Sequence, residues 1–279
     1  MLEITILKVE HQTAEQARKL LPYIKQCDVC GPEASDLLEK TAIENETNWE
    51  EIINSDMSRT MFTKYVWDMI CKTESHPGIR AYKAKTNDYM FTEKKPLWSP
   101  ERYSEEELNS LLQLKKSIKS ISGGTNSQIF SGNLDAYFES CFEYYAKQDE
   151  YIAKRDRHMA RQLTVAEEKI RKRYPALANK EPLKYTIFLG LAHEPERLID
   201  IRVNVVNLGS LNAPYNRVYD AIRKGERSEE LRRNILIWQH LTAVQTESLQ
   251  NLEKMSLLEL VALLKKDYEI RRTVKSYCQ

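Results

Sequence analysis

The stretch Tyr185-Thr186-Ile187-Phe188-Leu189-Gly190-Leu191-Ala192 is almost continuously apolar. A strand with one wet face alternates apolar and polar residues. An unbroken run of this length reads as a strand buried on both faces, the kind found in parallel sheets covered by helices. The start of the chain supplies neighbours for it. Residues 2–9, rich in Leu, Ile, Thr and Val, read as a strand. Thr13 then opens a helical pattern that puts Ala17, Leu20, Leu21 and Ile24 on one face. Cys27-Asp28-Val29-Cys30 is a short second strand closed by Gly31-Pro32, and residues 34–45 read as a further helix. Such strand–helix alternation favours parallel pairing. Ile201-Arg202-Val203-Asn204-Val205-Val206-Asn207 supplies one more strand, after a helical turn within 195–200.

The middle of the chain has a different rhythm. Trp49, Ile52, Ile53, Met57, Met61, Tyr65, Val66, Met69 and Ile70 recur at helical spacing. Residues 76–100, with Pro77-Gly78, Pro96 and Pro100, read as an irregular loop. Ser104-Glu105-Glu106-Glu107 has the form of a capping box opening a helix to about Ser120, ended by Ser122-Gly123-Gly124-Thr125-Asn126. A long helix over about 133–162 buries Phe138, Phe142, Tyr145, Ile152, Met159 and Leu163. Asp149 and Asp156 fall on the same stripe and so need partners. After Pro214 the chain reads as helical, with a second capping box at Ser256-Leu257-Leu258-Glu259. The expected fold is α/β, a mostly parallel sheet built from both ends of one domain, 1–279. A helical insertion occupies 48–165 and a helical C-terminal segment 215–279. Glycine usage agrees: 8 in 279 residues is about 3%, against a usual figure of about 7%, which suits a helix-rich chain.

Charge and apolar runs narrow the function classes. Lys and Arg number 42 and Asp and Glu 41, a formal charge of +1, so no global pull toward nucleic acid is expected. No run reaches the roughly 18 apolar residues of a membrane span. The first residues carry neither a basic region nor a cleavage site, and a cytoplasmic protein is expected. Neither of the glycine-rich phosphate-binding patterns occurs, so no nucleotide cofactor is expected. Five cysteines at irregular spacing fit a reducing compartment. Cys27 and Cys30 have zinc-like spacing, but no second pair follows. Within an extended segment their side chains should point to opposite faces.

Open parallel sheets carry their sites just beyond the C-terminal ends of the strands. Glu10-His11, Glu33 and His193-Glu194 stand at those positions. His11, Glu33 and His193 converging there would hold a divalent metal or act as general acid and base. Arg155, within the polar segment Lys154–Arg161, borders the stripe of the long helix.

In this order the pieces resemble the superfamily of erythromycin esterase, the TraB/PrgY proteins, the Tiki proteins and the haem-binding ChaN lipoproteins. The resemblance rests on Lys8-Val9-Glu10-His11, on Glu33 after the second strand, on Arg155-Asp156-Arg157-His158-Met159-Ala160, and on Gly190-Leu191-Ala192-His193. Lys8 stands where these relatives carry glycine, and Asp156 where they carry asparagine. The resemblance implies a protease- or esterase-like hydrolase acting on a small molecule or a peptide, in a cleft between sheet and helical insertion. Its metal ligands, with a divalent metal as cofactor, would be His11, Glu33 and His193. Arg155 would orient Glu33 or stabilise an oxyanion. The alternatives are a non-catalytic protein binding a small ligand or haem on this fold, and an interaction or oligomer-forming protein using the apolar C-terminal helices.

Overall fold

The structure, a computed structural model, describes residues 1–9, 14–33, 77–101, 103–209, 212–243 and 249–277. It is an α/β protein, with four parallel strands among the described residues: β1 (Leu2–Val9), β2 (Val29–Pro32), β3 (Leu183–Gly190) and β4 (Val203–Asn207). The strand order is β2-β3-β1-β4. The apolar run in β3 therefore occupies an inner position, paired with β1 from Leu2↔Leu183 to Val9↔Gly190 and with β2 from Val29↔Tyr185 to Pro32↔Phe188.

The helices in this part of the chain are α1 (Ala14–Arg18), α2 (Leu21–Gln26), α3 (Pro77–Thr92), α4 (Glu105–Ser131), α5 (Leu134–Thr164) and α6 (Ala166–Arg173). Alternate strand residues reach two separate cores. On one face Ile4, Ile6, Val29, Tyr185, Ile187 and Leu189 meet Met159 and Leu163 of α5, Ala166 and Ile170 of α6, and Trp98. On the other, Leu7, Val9, Cys30 and Phe188 meet Ala17, Leu20, Ile24, Tyr82 and Met90. Each large side chain buried this way contributes roughly 1.5–3 kcal/mol. Gly31 lies on the first face because a Cβ there would stand 2.8 Å from Cζ of Tyr185. That ring is fixed by its hydroxyl, which donates to the Trp98 carbonyl at 2.8 Å.

The described chain divides into two compact units, the division falling within α4 and α5. The sheet unit comprises Met1–Leu112 and Ile152–Ser210; the other comprises Gln113–Tyr151 and Leu211–Gln279. The second unit holds α7 (Asn212–Arg223), α8 (Glu229–Ala243), α9 (Leu249–Leu252) and α10 (Leu257–Tyr277). Its interior includes Phe138, Phe142, Tyr145, Tyr219, Ile235 and Leu264. Asp149 is paired there, with Arg223 at 2.7 Å. No helix among the described residues is long and apolar enough to cross a membrane.

Local differences from the sequence reading have plain causes. The pattern opened by Thr13 is two short helices, because Pro22 lacks an N–H and its ring opposes continuation from the preceding turn. The segment 76–100 is not a loop throughout. Pro77 begins α3, where its missing N–H costs nothing, and Tyr82, Thr86 and Met90 line one buried stripe. Helix α4 runs past Gly123-Gly124 to Ser131. Two glycines cost about 1 kcal/mol each, and buried Leu114, Ile118 and Ile129 anchor the helix on either side. The stop is Gly132, at φ 79. Both capping boxes form: Ser104 N–H donates to Glu107 at 3.0 Å and Ser256 N–H to Glu259 at 2.7 Å. The helices read over 34–45 and 48–75 lie outside the described residues, as does His11.

Candidate functional site

The chain leaving β1 passes to β2 on the far side of β3. The chain leaving β3 passes to β4 on the far side of β1. The first connection runs through α1 and α2 over one face, and the second brings Ile199 against the other. Adjacent strands whose connections part in this way open a crevice beyond their C-terminal ends. Val9 and Gly190 end the two strands side by side, and Pro32 ends β2 next to β3.

Glu33 is the first residue past β2, and its direction is fixed from both sides. Its Oε2 accepts from the Gly190 N–H at 2.8 Å, and its Oε1 accepts from Arg155 Nη2 at 2.6 Å. Arg155 comes from α5, one turn before Met159 in the sheet-facing stripe, and also donates through Nε to Glu101 Oε1 at 2.7 Å. Glu101 has no exposed surface and also accepts from the Tyr103 hydroxyl at 3.1 Å. The next residue of α5, Asp156, holds the loop after β3. Its Oδ1 lies 2.6 Å from His193 Nδ1, and its Oδ2 accepts from the Glu194 N–H at 2.8 Å. The other imidazole nitrogen, Nε2, faces Glu33 Oε1 at 3.5 Å. The structure thus unites Glu33, Arg155 and His193, and adds Asp156 and Glu101.

Charge explains the protonation of the imidazole. Burial and the nearby Arg155 guanidinium work against a proton on His193. Glu33 and Asp156 outweigh them, and its pKa is lifted to about 9. At neutral pH His193 is a cation with one N–H bonded to Asp156 and the other directed at Glu33. Glu33 is the most exposed member, its side chain 17% accessible.

Lys8 occupies the position where the resemblance places a glycine. Its stem is buried, and its ammonium reaches Glu196 Oε1 at 2.9 Å and donates to the His193 carbonyl. This lysine ties the end of β1 to the turn Pro195–Leu198 that follows His193.

A cavity of about 770 Å³ lies against α4 and α5, lined among others by Tyr103, Glu107, Lys154, Arg157, His158 and Leu198. Tyr103 stacks on His158 with ring centroids 4.2 Å apart. Glu107 receives Arg161 at 2.6 Å and approaches His158 Nδ1 at 3.2 Å. None of Glu33, Glu101, Arg155, Asp156 and His193 lines this cavity; it meets the network through Tyr103, which bonds to Glu101, and through Leu198, which closes the turn after His193.

The described part of the proposed donor set is already engaged. Of the three candidate ligands, Glu33 and His193 are described. Glu33 already receives a guanidinium and a backbone N–H, and His193 Nε2 carries a proton toward it. A cation placed there would displace Arg155 or lie against its charge. Among the described residues, no three His, Cys, Asp or Glu groups are arranged to hold a metal ion.

Sequence reasoning reached Glu33, Arg155 and His193 through strand ends and helix phase. It also found that Asp156 needed a partner. Glu101 and Tyr103 carried no signal, being single polar residues in an irregular segment, and Glu196 carried none, being one charge in a single short turn. The two thiols at Cys27 and Cys30 are not turned apart as an extended segment would place them. Cys27 precedes β2 at the end of α2, and a bend at Asp28 brings its sulfur to 3.4 Å from that of Cys30. No family model, curated protein or solved structure matches this chain.

Proposed function

We propose that this chain is a hydrolase of the acid–base kind, acting on a small-molecule or peptide substrate at the crevice between β1 and β3. The observation that carries the reading is the set of buried Arg155, Asp156 and His193 with the partly accessible Glu33 at the crevice between β1 and β3. A perturbed histidine facing carboxylates in such a crevice is a usual feature of catalytic sites. In this reading Asp156 fixes the orientation of the imidazole through Nδ1, so the remaining N–H points into the gap toward Glu33. His193, cationic at neutral pH, gives that proton to the leaving group. Glu33 takes a proton from the attacking water. Arg155 holds the Glu33 carboxylate in place and offsets negative charge that develops beside it. Lys8 and Glu196 position the His193 loop and touch no reacting atom. The resemblance to erythromycin esterase and the Tiki proteins points to the same class, and esters, lactones and peptides are the substrates it suggests. No step needs a metal.

The test is a screen of nitrophenyl esters, lactones and peptides with the wild type, His193→Gln and Asp156→Asn. Hydrolysis that is lost in the first variant, reduced in the second and accompanied by unchanged far-UV circular dichroism supports the reading. Hydrolysis that survives in His193→Gln overturns it.

One observation favours a second reading. Every member of the network is satisfied by another member, and the cavity volume falls in the range of small-ligand sites, about 300–1,000 Å³. A protein that binds a small ligand without transforming it would need no more. Saturable ligand binding together with no turnover of any ester, lactone or peptide would select that reading.

A further inference from the structure

The sulfur atoms of Cys27 and Cys30 lie 3.4 Å apart, both buried and both without a disulfide. They stand on the α1–α3 face of the sheet, while the Arg155–His193 network reaches the strand ends from α5 on the other. A disulfide bond is about 2.05 Å long, so the two sulfurs need to approach by only roughly 1.4 Å. Cys27 lies outside the ladder of β2, at the end of α2. Cys30 is fixed by the ladder and by backbone bonds to Pro96 and Trp98, both at 2.9 Å.

The surroundings divide the two thiols into unlike partners. The hydrogen bond from Cys30 pulls the Cys27 thiol below the ordinary value against the opposing effect of burial, and the Lys95 charge and the Thr186 hydroxyl assist. The Lys95 ammonium is held beside Cys27 by the carbonyls of Lys25, at 3.0 Å, and of Cys27, at 2.5 Å. Cys30 is pushed up by giving that same hydrogen bond and by burial. An easily ionised thiol next to a reluctant one, on a Cys-x-x-Cys spacing, is the arrangement of an attacking and a resolving cysteine. A metal role is weaker, because no third ligand stands with them among the described residues.

We propose that Cys27 and Cys30 are a redox-active dithiol, oxidised by a small hydroperoxide to an intrachain disulfide. The Cys27 thiolate attacks the peroxide, its O–O bond breaks, and with hydrogen peroxide hydroxide leaves and Cys27 becomes a sulfenic acid. The Cys30 sulfur then attacks the Cys27 sulfur, gives up its proton, and water leaves. Two thiols and one hydrogen peroxide become one disulfide and two waters. The small size of the oxidant suits a buried pair. A thiol reductant reverses the change.

Trypsin cutting after Lys25 and Lys40 places both cysteines in one peptide, 26–40. The reduced protein is treated with hydrogen peroxide, blocked with iodoacetamide, digested and read by mass spectrometry. The expected result is loss of both alkyl tags together from this peptide, with the mass of the dithiol less two hydrogens, and return of both tags after dithiothreitol. Cys141, buried with its thiol pushed up to about 11, holds about a hundredfold less thiolate than an ordinary cysteine and keeps its tag. In Cys30→Ser, Cys27 is expected to stop at the sulfenic acid and be captured by dimedone; in Cys27→Ser, Cys30 keeps its tag. The wild-type experiment repeated in denaturant should lose the preference for Cys27 over Cys141, a control that depends on no variant. Retention of both tags, linkage of either cysteine to Cys71 or Cys278 instead, or equal oxidation of Cys27 and Cys141 in the folded protein overturns the proposal. These results are independent of any hydrolysis assay.

Discussion

Raising the pH through 9 should remove a proton on which the sheet unit depends, and the size of the effect follows from His193. Burial and Arg155 lower its affinity for that proton, and Glu33 and Asp156 more than restore it, taking its pKa from 6.5 to about 9. Between those values the folded chain holds a proton that the unfolded chain has released, so stability falls as pH rises. The contribution is fully present below about 6.5 and is gone once pH has passed about 9. At 1.36 kcal/mol for each tenfold difference, the displacement amounts to roughly 3 kcal/mol. Five histidines are few enough to follow one by one by NMR, with His193→Gln assigning the signal. One imidazole should titrate near 9, and in Asp156→Asn, which keeps a polar partner but removes its charge, the midpoint should fall. Urea unfolding supplies the energy. The stability difference between wild type and His193→Gln should shrink by roughly 3 kcal/mol between about pH 6 and about pH 10, because other titrating groups cancel in the difference. A midpoint at or below 6.5 in the folded protein, or a difference that does not change with pH, would refute the electrostatic account of this site.

Glu101→Ala should cost about 3 kcal/mol in urea unfolding, since it removes a fully buried carboxylate from Arg155 and Tyr103; a cost under about 1 kcal/mol would mean the cluster is not held together by charge. Lys8→Gly, which installs the residue the resemblance calls for, should destabilise by about 2–4 kcal/mol by stranding Glu196 and removing a buried stem. Lys8→Met, which keeps the stem, should cost less and should still shift the His193 NMR signal, and an unshifted signal would detach Lys8 from the loop. Protein purified without chelator and incubated with Zn²⁺ or Mn²⁺ should hold no stoichiometric metal by mass spectrometry. Stoichiometric metal lost in both His11→Ala and His193→Ala would place the two histidines in one metal site instead.

The sheet was legible because its signal is physical and local. Apolar β3 and the Leu-, Ile- and Val-rich β1 have few alternatives, and once paired in parallel they require helices on both faces. Phase along α5 was legible for the same reason: Met159 and Leu163 point to the sheet, and Asp156, on that stripe, had to find a charge or a donor. The strand order was not legible. Nothing in residues 27–32 says that β3, about 150 residues later, inserts between β2 and β1. Glu101 was hidden by a similar limit, since one carboxylate after Trp98-Ser99-Pro100 looks like any loop glutamate until Arg155 arrives from α5. The sulfur pair was misjudged because the geometry of a strand was extended two residues too far, into a helix end and a bend.

A buried ionic cluster is weak evidence of stability, since well-packed apolar side chains of similar volume serve as well or better. What it implies depends on where it stands, and this chain contains its own comparison. In the helical unit His240 Nδ1 bonds to Asp267, also buried, with apolar side chains such as Ile237, Leu241 and Leu264 nearby in sequence and no described partner for its Nε2. That pair joins α8 to α10. The pair His193–Asp156 is drawn from the same residue types, yet its outer nitrogen meets a second carboxylate, that carboxylate meets an arginine, and the set stands at the parting of two strand connections beside a cavity. A histidine–aspartate pair alone is therefore no signature of chemistry. The added charges, the partly accessible Glu33 and the position at the strand ends are what separate the two. Departures from an apolar interior concentrate where function is served, which is why the hydrolase proposal stands on the His193 cluster, and why His240→Gln in the same assay is the control that should leave turnover unchanged.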